Sequence, residues 1–219
     1  MMQEFMSNTI NFIENNIFSV ITAITAIVAI WQTHKQLKIS NKQHLFDKRI
    51  EKFLICTGML SLYSENKMLI KEENKDVPLE VTILFSGLTN NMYLKDIGNI
   101  IGDTHNEKLR IDFLIKLEEL YKVASEIELI FPKEQSKILK EFILEYRNLL
   151  QKLYKYRCVL EKIEKKNEEK PQEFTKLQKI FPEEKYKENL YDTYRNIEAI
   201  YTKIVEKNII KKVKKQIKL

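Results

Sequence analysis

The sequence predicts an all-α protein, with a single N-terminal transmembrane helix that continues into a cytosolic helical bundle. The first observation behind this fold class is a run of 17 residues without a charge, 17–33, in a chain whose residues are 31% charged. The second is composition, because only 4 Gly and 4 Pro occur in 219 residues, which is typical of long helices. The third is the recurrence of apolar residues at steps of three and four along much of the remaining chain, the period of an amphipathic helix.

The uncharged run, 17–33, is nearly long enough to cross a bilayer. A helix rises about 1.5 Å per residue and a bilayer core is about 30 Å thick, so a span needs roughly 20 residues. The run reaches that length if Phe12 and Ile13 lie at one interface. Trp31 then anchors the other interface, where indole rings concentrate. We therefore expect residues 17–33 to form a transmembrane helix.

Two alternatives compete with a transmembrane helix. A cleavable signal peptide begins with basic residues and ends at a small-residue cleavage site. The chain instead carries Glu4 and Glu14 before the run, with no Lys or Arg there and no clear cleavage site before Trp31. A buried core helix is the expected interpretation of apolar runs of about 10–14 residues, and this run is longer.

The charges that flank the run predict its orientation. Residues 34–52 contain six Lys or Arg and two acidic residues, whereas residues 1–16 contain only two acidic residues. An excess of Lys and Arg marks the cytoplasmic side of a span. The chain is therefore predicted to cross the membrane once, with residues 1–16 as a short extracytoplasmic tail and residues 34–219 as a cytosolic all-helical domain with a basic C-terminal helix.

One side of the predicted span carries small and weakly polar residues, which we call the stripe. They are Ser19, Thr22, Thr25, Ala26, Ala29 and Thr33. Small residues allow helices in lipid to approach closely, and hydroxyl groups can form hydrogen bonds across such a contact. Three interpretations remain open at this stage: hydroxyls that bond back to their own helix in an isolated span, a seam for self-association, or the water-facing lining of a pore.

Helix starts and stops divide the rest of the chain. No strong helix breaker follows Trp31 until Gly58, so the membrane helix is expected to continue to about Ser64. Proline in the first turn favours a helix start, and proline after a helix stops it. The predicted elements after Ser64 are a loop over 64–77, a helix that starts at Asp76 and Pro78 and reaches Ile101, a helix over 104–130 ended by Pro132, a helix over 133–167, and a last helix from Pro182 to the C-terminus.

Two of these helices have clear apolar faces. The first face comprises Leu109, Phe113, Leu117, Leu120, Ala124, Ile127 and Phe131. The second comprises Ile138, Phe142, Leu149, Leu153, Tyr156 and Leu160. Cys56 and Cys158 lie far apart within amphipathic patterns, so we expect them to be reduced, buried core residues of a cytosolic domain.

The sequence displays no recognisable catalytic or metal site. His34, His44 and His105 are too scattered for the fixed spacings of a metal centre. The motifs of phosphate-binding loops, zinc proteases, dinucleotide-binding folds and serine hydrolases are absent from the sequence. HEPN ribonucleases are one enzyme class with a basic, all-helical domain. Their pattern is an Arg followed four to six residues later by a His, and no Arg in this sequence is followed by a His at that distance. We therefore expect neither an enzyme nor a cofactor.

The positive charge is concentrated at the C-terminal end. Residues 201–219 have seven Lys and one Glu, and their excess of six equals the net charge of +6 of the whole protein. Three interpretations remain open: a solvated helix end whose lysines suit the negative pole of the helix dipole, contact with anionic lipid, or attraction of a nucleotide or nucleic acid. The candidate residues for ligand or anionic-lipid binding are Lys211, Lys212, Lys214, Lys215 and Lys218.

A known group of proteins shares this layout. The span at 17–33 is followed by Gln36 and by the segment LFDKRIEKF at 45–53, and a later helix ends in IFP at 130–132. With these features the chain resembles small N-terminally anchored bacterial membrane proteins of phage-defence systems. It is similar in plan to the channel effector of Hailong systems and to the membrane accessory proteins of type VI-B CRISPR systems. The resemblance implies a homo-oligomeric pore or membrane-perturbing effector controlled by a partner or a nucleotide signal, and it transfers no ligand site.

The leading hypothesis is a homo-oligomeric inner-membrane effector, an ion channel or pore gated by a cytosolic ligand or partner in antiphage defence. The stripe, the helix that continues to about Ser64 and the basic C-terminus motivate it. The alternative is a membrane-tethered binding or scaffold module without conductance. The expected partners are further copies of the chain, membrane lipids, and a nucleotide or oligonucleotide signal or a partner defence protein.

Overall fold

The prediction of an all-α protein is confirmed. The computed structural model describes residues 2–70, 80–169, 171, 176–177 and 180–217. Every regular element within these residues is helical, and no strand occurs among them. In chain order the elements are α1 (Met2–Asn66), a 3₁₀ helix (Lys67–Leu69), α2 (Val81–Thr89), a second 3₁₀ helix (Lys95–Ile101), α3 (Glu107–Ile130), α4 (Lys133–Glu169), α5 (Glu183–Glu206) and α6 (Ile209–Gln216).

The chain divides into two compact units, Met1–Asp47 and Lys48–Leu219. The first unit contains the uncharged run. By length and composition α1 could cross a membrane. None of the 18 residues in its most apolar stretch is buried within the chain. Its large apolar side chains are exposed, including those of Phe18, Ile24, Ile27 and Trp31. A core helix would bury such side chains against its own chain, so that alternative gains no support.

The expected continuation of the first helix to about Ser64 is confirmed, because α1 ends at Asn66. The loop predicted over 64–77 is therefore wrong at its start, where α1 and the first 3₁₀ helix extend to Leu69. The predicted helix start at Asp76 and Pro78 lies outside the described residues.

The helix predicted to reach Ile101 is interrupted. α2 ends at Thr89, and a turn precedes the second 3₁₀ helix. In that turn the Asn91 side chain accepts a hydrogen bond from the Leu94 backbone N–H at 2.8 Å. Asparagine side chains that bond to nearby backbone groups compete with helical hydrogen bonds in this way. The apolar period is therefore real, but the local asparagines divide it.

The two long amphipathic helices match their predicted faces. α3 begins after its N-cap residue Asn106, whose side chain accepts a hydrogen bond from the Leu109 N–H at 3.2 Å. It ends before Phe131, whose extended backbone leads into Pro132. All the predicted core residues of α3 and α4 are buried except Leu109, which is half-buried.

The second unit has its core between α3, α4 and α5. α4 and α5 run antiparallel, since Tyr156 donates to Glu183 at one end and Asn196 donates to Glu145 at the other, at 3.3 Å. The C-terminal part of α1 completes this core with Cys56, Met59, Leu60 and Tyr63. Burial raises the pKa of the Cys56 thiol to about 12, so it remains a protonated core residue. The other predicted core cysteine, Cys158, is only half-buried.

The last predicted helix is broken into two. Asn208 has φ 51° and ψ 39°, the left-handed conformation. Asparagine is among the few residues other than glycine that visit this region. The chain turns there, and α6 packs Ile209 and Val213 into the core of the second unit.

Gly87 provides a first prediction, because a side chain at this position would strike Asn66. A Cβ atom on Gly87 would overlap Asn66 Oδ1 and lie 2.8 Å from its Cγ. Asn66 Nδ2 donates to the Leu62 carbonyl at 2.8 Å and more weakly to that of Gly87, at 3.4 Å. We expect Gly87→Ala to displace this amide and lower the free energy of unfolding by about 1–2 kcal/mol, measured by thermal unfolding of the full chain in detergent.

The control for Gly87 is the same substitution in an Asn66→Ala background. Without the Asn66 amide the clash disappears. Alanine is favoured over glycine within a helix by about 0.5–1 kcal/mol, so Gly87→Ala should then stabilise the protein. Destabilisation of equal size in both backgrounds would contradict the contact with Asn66.

Candidate functional site

The stripe on α1 is exposed along its length. Its threonine hydroxyls bond back to their own helix: Thr22 donates to the Phe18 carbonyl and Thr25 to that of Ile21, both at 2.8 Å. Thr33 donates to the Ala29 carbonyl at the same distance. These bonds satisfy the hydroxyl donors in an isolated helix, the first of the three interpretations. Each oxygen keeps acceptor capacity and the small residues stay uncovered, so the surface needed for a helix contact is still present.

The basic C-terminal helix, α6, is amphipathic. Its apolar residues Ile209 and Val213 are buried, and Ile210 and Ile217 are half-buried. The opposite side is a basic face of four exposed lysines, Lys211, Lys212, Lys214 and Lys215. The fifth candidate, Lys218, lies outside the described residues. The lysine face is therefore available to solvent or to an anionic surface.

Arg49 holds the C-terminal ends of two helices. Its Nε donates to the carbonyl of Ile130, the last residue of α3, at 2.8 Å. Its Nη1 donates to the carbonyl of Gln216, the last residue of α6, at 3.3 Å. Carbonyls at a helix end lack intrahelical partners and form the negative pole of its dipole. The sequence marked Arg49 only as one of several cations after the span, because its partners are remote in the chain.

Next to Arg49, Lys52 forms a partly buried ion pair. Its ammonium lies 2.8 Å from Glu126 of α3 and 2.7 Å from Glu51. Burial tends to lower the pKa of Lys52, but hydrogen bonds to Glu126 and Glu51 outweigh it and raise that pKa. The contact with Lys52 in turn lowers the pKa of Glu126. Together with Arg49 this pair attaches α1 to α3.

At its C-terminal end α1 joins α5 through what we call the Glu198 network. Glu198 of α5 accepts a hydrogen bond from the Tyr63 hydroxyl and one from the Lys67 ammonium, both at 2.7 Å. Tyr194 donates to the Lys67 carbonyl at 3.1 Å, and Tyr201 donates to the Ser64 hydroxyl at 2.9 Å. Each of these bonds connects the end of α1, or the 3₁₀ turn after it, to α5.

The hydrogen bonds to Glu198 keep its two donors, Tyr63 and Lys67, protonated. Burial and the hydrogen bond to Glu198 both raise the pKa of Tyr63, so the hydroxyl stays a donor. The hydrogen bond to Glu198 raises the pKa of Lys67, whose ammonium also lies 4.8 Å from the centre of the Tyr201 ring. Tyr194 and Tyr201 link the two helices only in the folded chain, because their partners Lys67 and Ser64 are more than 120 positions away, with separations of 127 and 137.

The second unit contains several cavities among its described residues, and two of them are lined by α5. One, of about 450 Å³, lies between α1, α5 and α6 and is mainly apolar, with Leu60, Ile204, Val205 and Ile210 among its walls. The other, the lysine cavity, has about 420 Å³ between α4 and α5. Its lining residues are Lys152, Lys155, Cys158, Val159, Lys162, Pro182, Lys185, Tyr186 and Asn189.

The lysine cavity was not predicted. Its residues come from two helices whose lysines alternate with glutamates along the sequence, as on an ordinary solvated surface. Only the packing of α4 against α5 brings them together. Among the described residues, no group of three or more His, Cys, Asp or Glu side chains could hold a metal ion.

Comparison of the chain with protein-family models, with curated proteins and with solved structures gives no match.

Proposed function

We propose that the protein is a single-span, homo-oligomeric inner-membrane effector that forms an ion channel or pore gated by a cytosolic ligand or partner. The observation that carries the proposal is the exposed apolar stretch of α1 at 17–33, with the stripe along one side. An apolar surface of this extent is unfavourable in water and marks a membrane or protein contact. Lipid covers the large side chains, and the small residues of the stripe suit a contact with another copy.

Self-association is what makes conduction feasible, because one helix alone encloses no water path. Copies that meet along the stripe would place threonine hydroxyls, rather than isoleucine side chains, at the centre of the assembly. Their remaining acceptor capacity could then face water or a permeating cation. The orientation with the N-terminus outside follows from the Lys and Arg that come after the span.

Gating is supported by the connections of α1 in the second unit. The helix that contains the proposed span also contributes Tyr63 to the Glu198 network. The same α5 that supplies Glu198 lines the lysine cavity with its first turns. A ligand or partner that shifts α5 would therefore act on the end of α1. The setting in antiphage defence rests on the resemblance to anchored defence proteins.

Planar-bilayer recording of the purified full-length chain tests this proposal. We expect conductance, and we expect Thr22→Leu with Thr25→Leu to reduce it by about tenfold, because apolar constrictions in a pore exclude water and ions. The matched control is Ile24→Leu, which adds no bulk to the stripe and should leave conductance unchanged. A monomer in detergent, absence of conductance, or an equal effect of the control would each contradict the pore.

The second candidate function, a membrane-tethered binding module without conductance, is favoured by one observation, the exposed basic face of α6. It predicts that residues 34–219 retain activity when attached to an unrelated transmembrane anchor. A pore predicts that activity is lost in that chimera, because the stripe has been replaced.

A further inference from the structure

The lysine cavity concentrates positive charge inside a concave site. Lys152, Lys155 and Lys162 lie on one side of α4, and Lys185 faces them from α5. Lys152 and Lys162 are ten residues apart, which is about 15 Å along a helix. Among the described residues none of the four ammonium groups has a carboxylate within ion-pair distance. Like charges gathered in a cleft raise the local potential and attract anions.

Nearby carboxylates are engaged elsewhere. Glu161 and Glu164 of α4 both bind Arg157, at 3.2 and 3.0 Å. Glu183, in the first turn of α5, is buried and accepts the hydroxyl of Tyr156. No acidic residue is among the residues that line the cavity. Its charge is thus not neutralised by the surrounding wall.

Besides the lysines, the cavity wall contains a helix N-terminus, an amide and an aromatic ring, which suit an anionic ligand larger than a single phosphate. The cavity opens onto the first turn of α5, with Pro182 at its N-cap position, where the helix dipole is positive. The Asn189 amide donates to the Lys185 carbonyl at 2.6 Å, which orients its side chain in the wall. Tyr186 is half-buried and packs against the apolar core, so its ring forms a fixed wall.

We infer that the lysine cavity binds a small soluble compound that carries two or more phosphate groups. Lysine binds phosphate as a point charge, and several lysines spread along the cavity favour a ligand with several charges over a single carboxylate. A volume of about 420 Å³ lies within the usual range for small-molecule sites, roughly 300–1,000 Å³. That such a compound gates the pore rests on the proposed function. That the cavity binds it does not.

Titration calorimetry on the full-length protein in detergent tests the site, with inorganic pyrophosphate and ATP as probes and adenosine as the uncharged control. We expect saturable binding of one phosphate probe per chain and no binding of adenosine. Lys155→Gln with Lys185→Gln should weaken binding by about tenfold or more, a change of roughly 1.4 kcal/mol. The matched control, Lys108→Gln on α3 with Lys137→Gln on α4, replaces two exposed lysines outside the cavity. It removes the same charge and should change affinity less than about twofold.

Three outcomes would overturn the inference. One is the absence of saturable binding by either probe. Another is equal weakening in both double variants, which would mean attraction to net charge alone. The third is a lipid headgroup as occupant, seen as pyrophosphate binding in phosphatidylcholine nanodiscs that disappears when phosphatidylglycerol is included. All four lysines replaced are exposed or on helix surfaces, so unchanged circular dichroism is expected.

Failure of the site and failure of the proposed function remain distinguishable. Binding without conductance would retain the lysine cavity and refute the pore. Conductance that persists in the Lys155→Gln, Lys185→Gln variant and is unaffected by pyrophosphate would retain the pore and refute this cavity as its gate.

Discussion

Arginine in place of Ile24 and Ile27 is expected to release the protein from membranes. Both side chains are exposed on α1, at 56% and 66% of their maximal area. At the centre of a span, arginine is less favourable than isoleucine by about 3–4 kcal/mol per residue on insertion scales. Two such changes therefore offset much of the favourable free energy of inserting this short stretch into the membrane. Carbonate extraction of cell membranes, followed by immunoblotting, should show the variant in the soluble or aggregated fraction.

The matched control places the same two charges on exposed apolar residues outside α1. Leu129 and Ile111 of α3 are exposed, at 84% and 47%, and their replacement by arginine should leave the protein in the carbonate-resistant fraction. Ile24→Leu with Ile27→Leu should behave like the unmodified chain. Equal fractionation of the two arginine pairs would contradict a transmembrane role for residues 17–33.

Replacement of Arg49 by methionine is expected to lower the free energy of unfolding by about 2–3 kcal/mol, since hydrogen bonds to a charged group contribute about 1.5–3 kcal/mol each. The carbonyls of Ile130 and Gln216 lose their donor together. α6 has only 8 residues, and helices that short depend on tertiary contacts because isolated ones are marginal in water. Loss of Arg49 should therefore loosen α6 first.

Thermal unfolding and hydrogen exchange on the full-length chain check the Arg49 prediction. The midpoint should fall by about 5–10 °C, and amides in Ile209–Gln216 should lose more protection than those of α4. The matched control is Arg110→Met, because Arg110 is exposed and only 3.8 Å from Glu107 in an i,i+3 pair. Exposed pairs contribute about 0–1 kcal/mol, so a large effect there, or none for Arg49, would contradict the bridge.

A lysine at position 49 distinguishes the contribution of the arginine's shape from that of its positive charge. Arg49→Lys keeps the positive charge but not the planar fork that reaches two carbonyls at once. We expect it to recover less than half of the lost stability.

Local chemistry was sufficient to predict the long helices. The apolar period of α3 and α4 repeats over several turns, and Pro132 separates them with a residue that cannot continue a helix. The same local reasoning identified 17–33, because the absence of charge over such a length has few structural explanations. It also predicted the basic C-terminal helix, because residues 201–219 contain seven Lys and one Glu.

Boundaries within irregular stretches were predicted less well. The turn before the second 3₁₀ helix depends on one asparagine side chain bonding to the backbone of Leu94. The break between α5 and α6 depends on Asn208 adopting a left-handed conformation. Asparagine is compatible with a helix as well as with these turns, so its choice depends on whether packing of α6 compensates for the lost helical bonds.

The charged contacts that support the proposed function come from folding, not from local sequence. Arg49 and Gln216 are 167 positions apart, and Tyr63 and Glu198 are 135 apart. Lys155 and Lys185 belong to different helices and resemble any solvated lysines until α4 and α5 pack antiparallel. A sequence specifies helices through interactions between near neighbours, whereas side chains converge on a site only after distant helices have buried their apolar faces together.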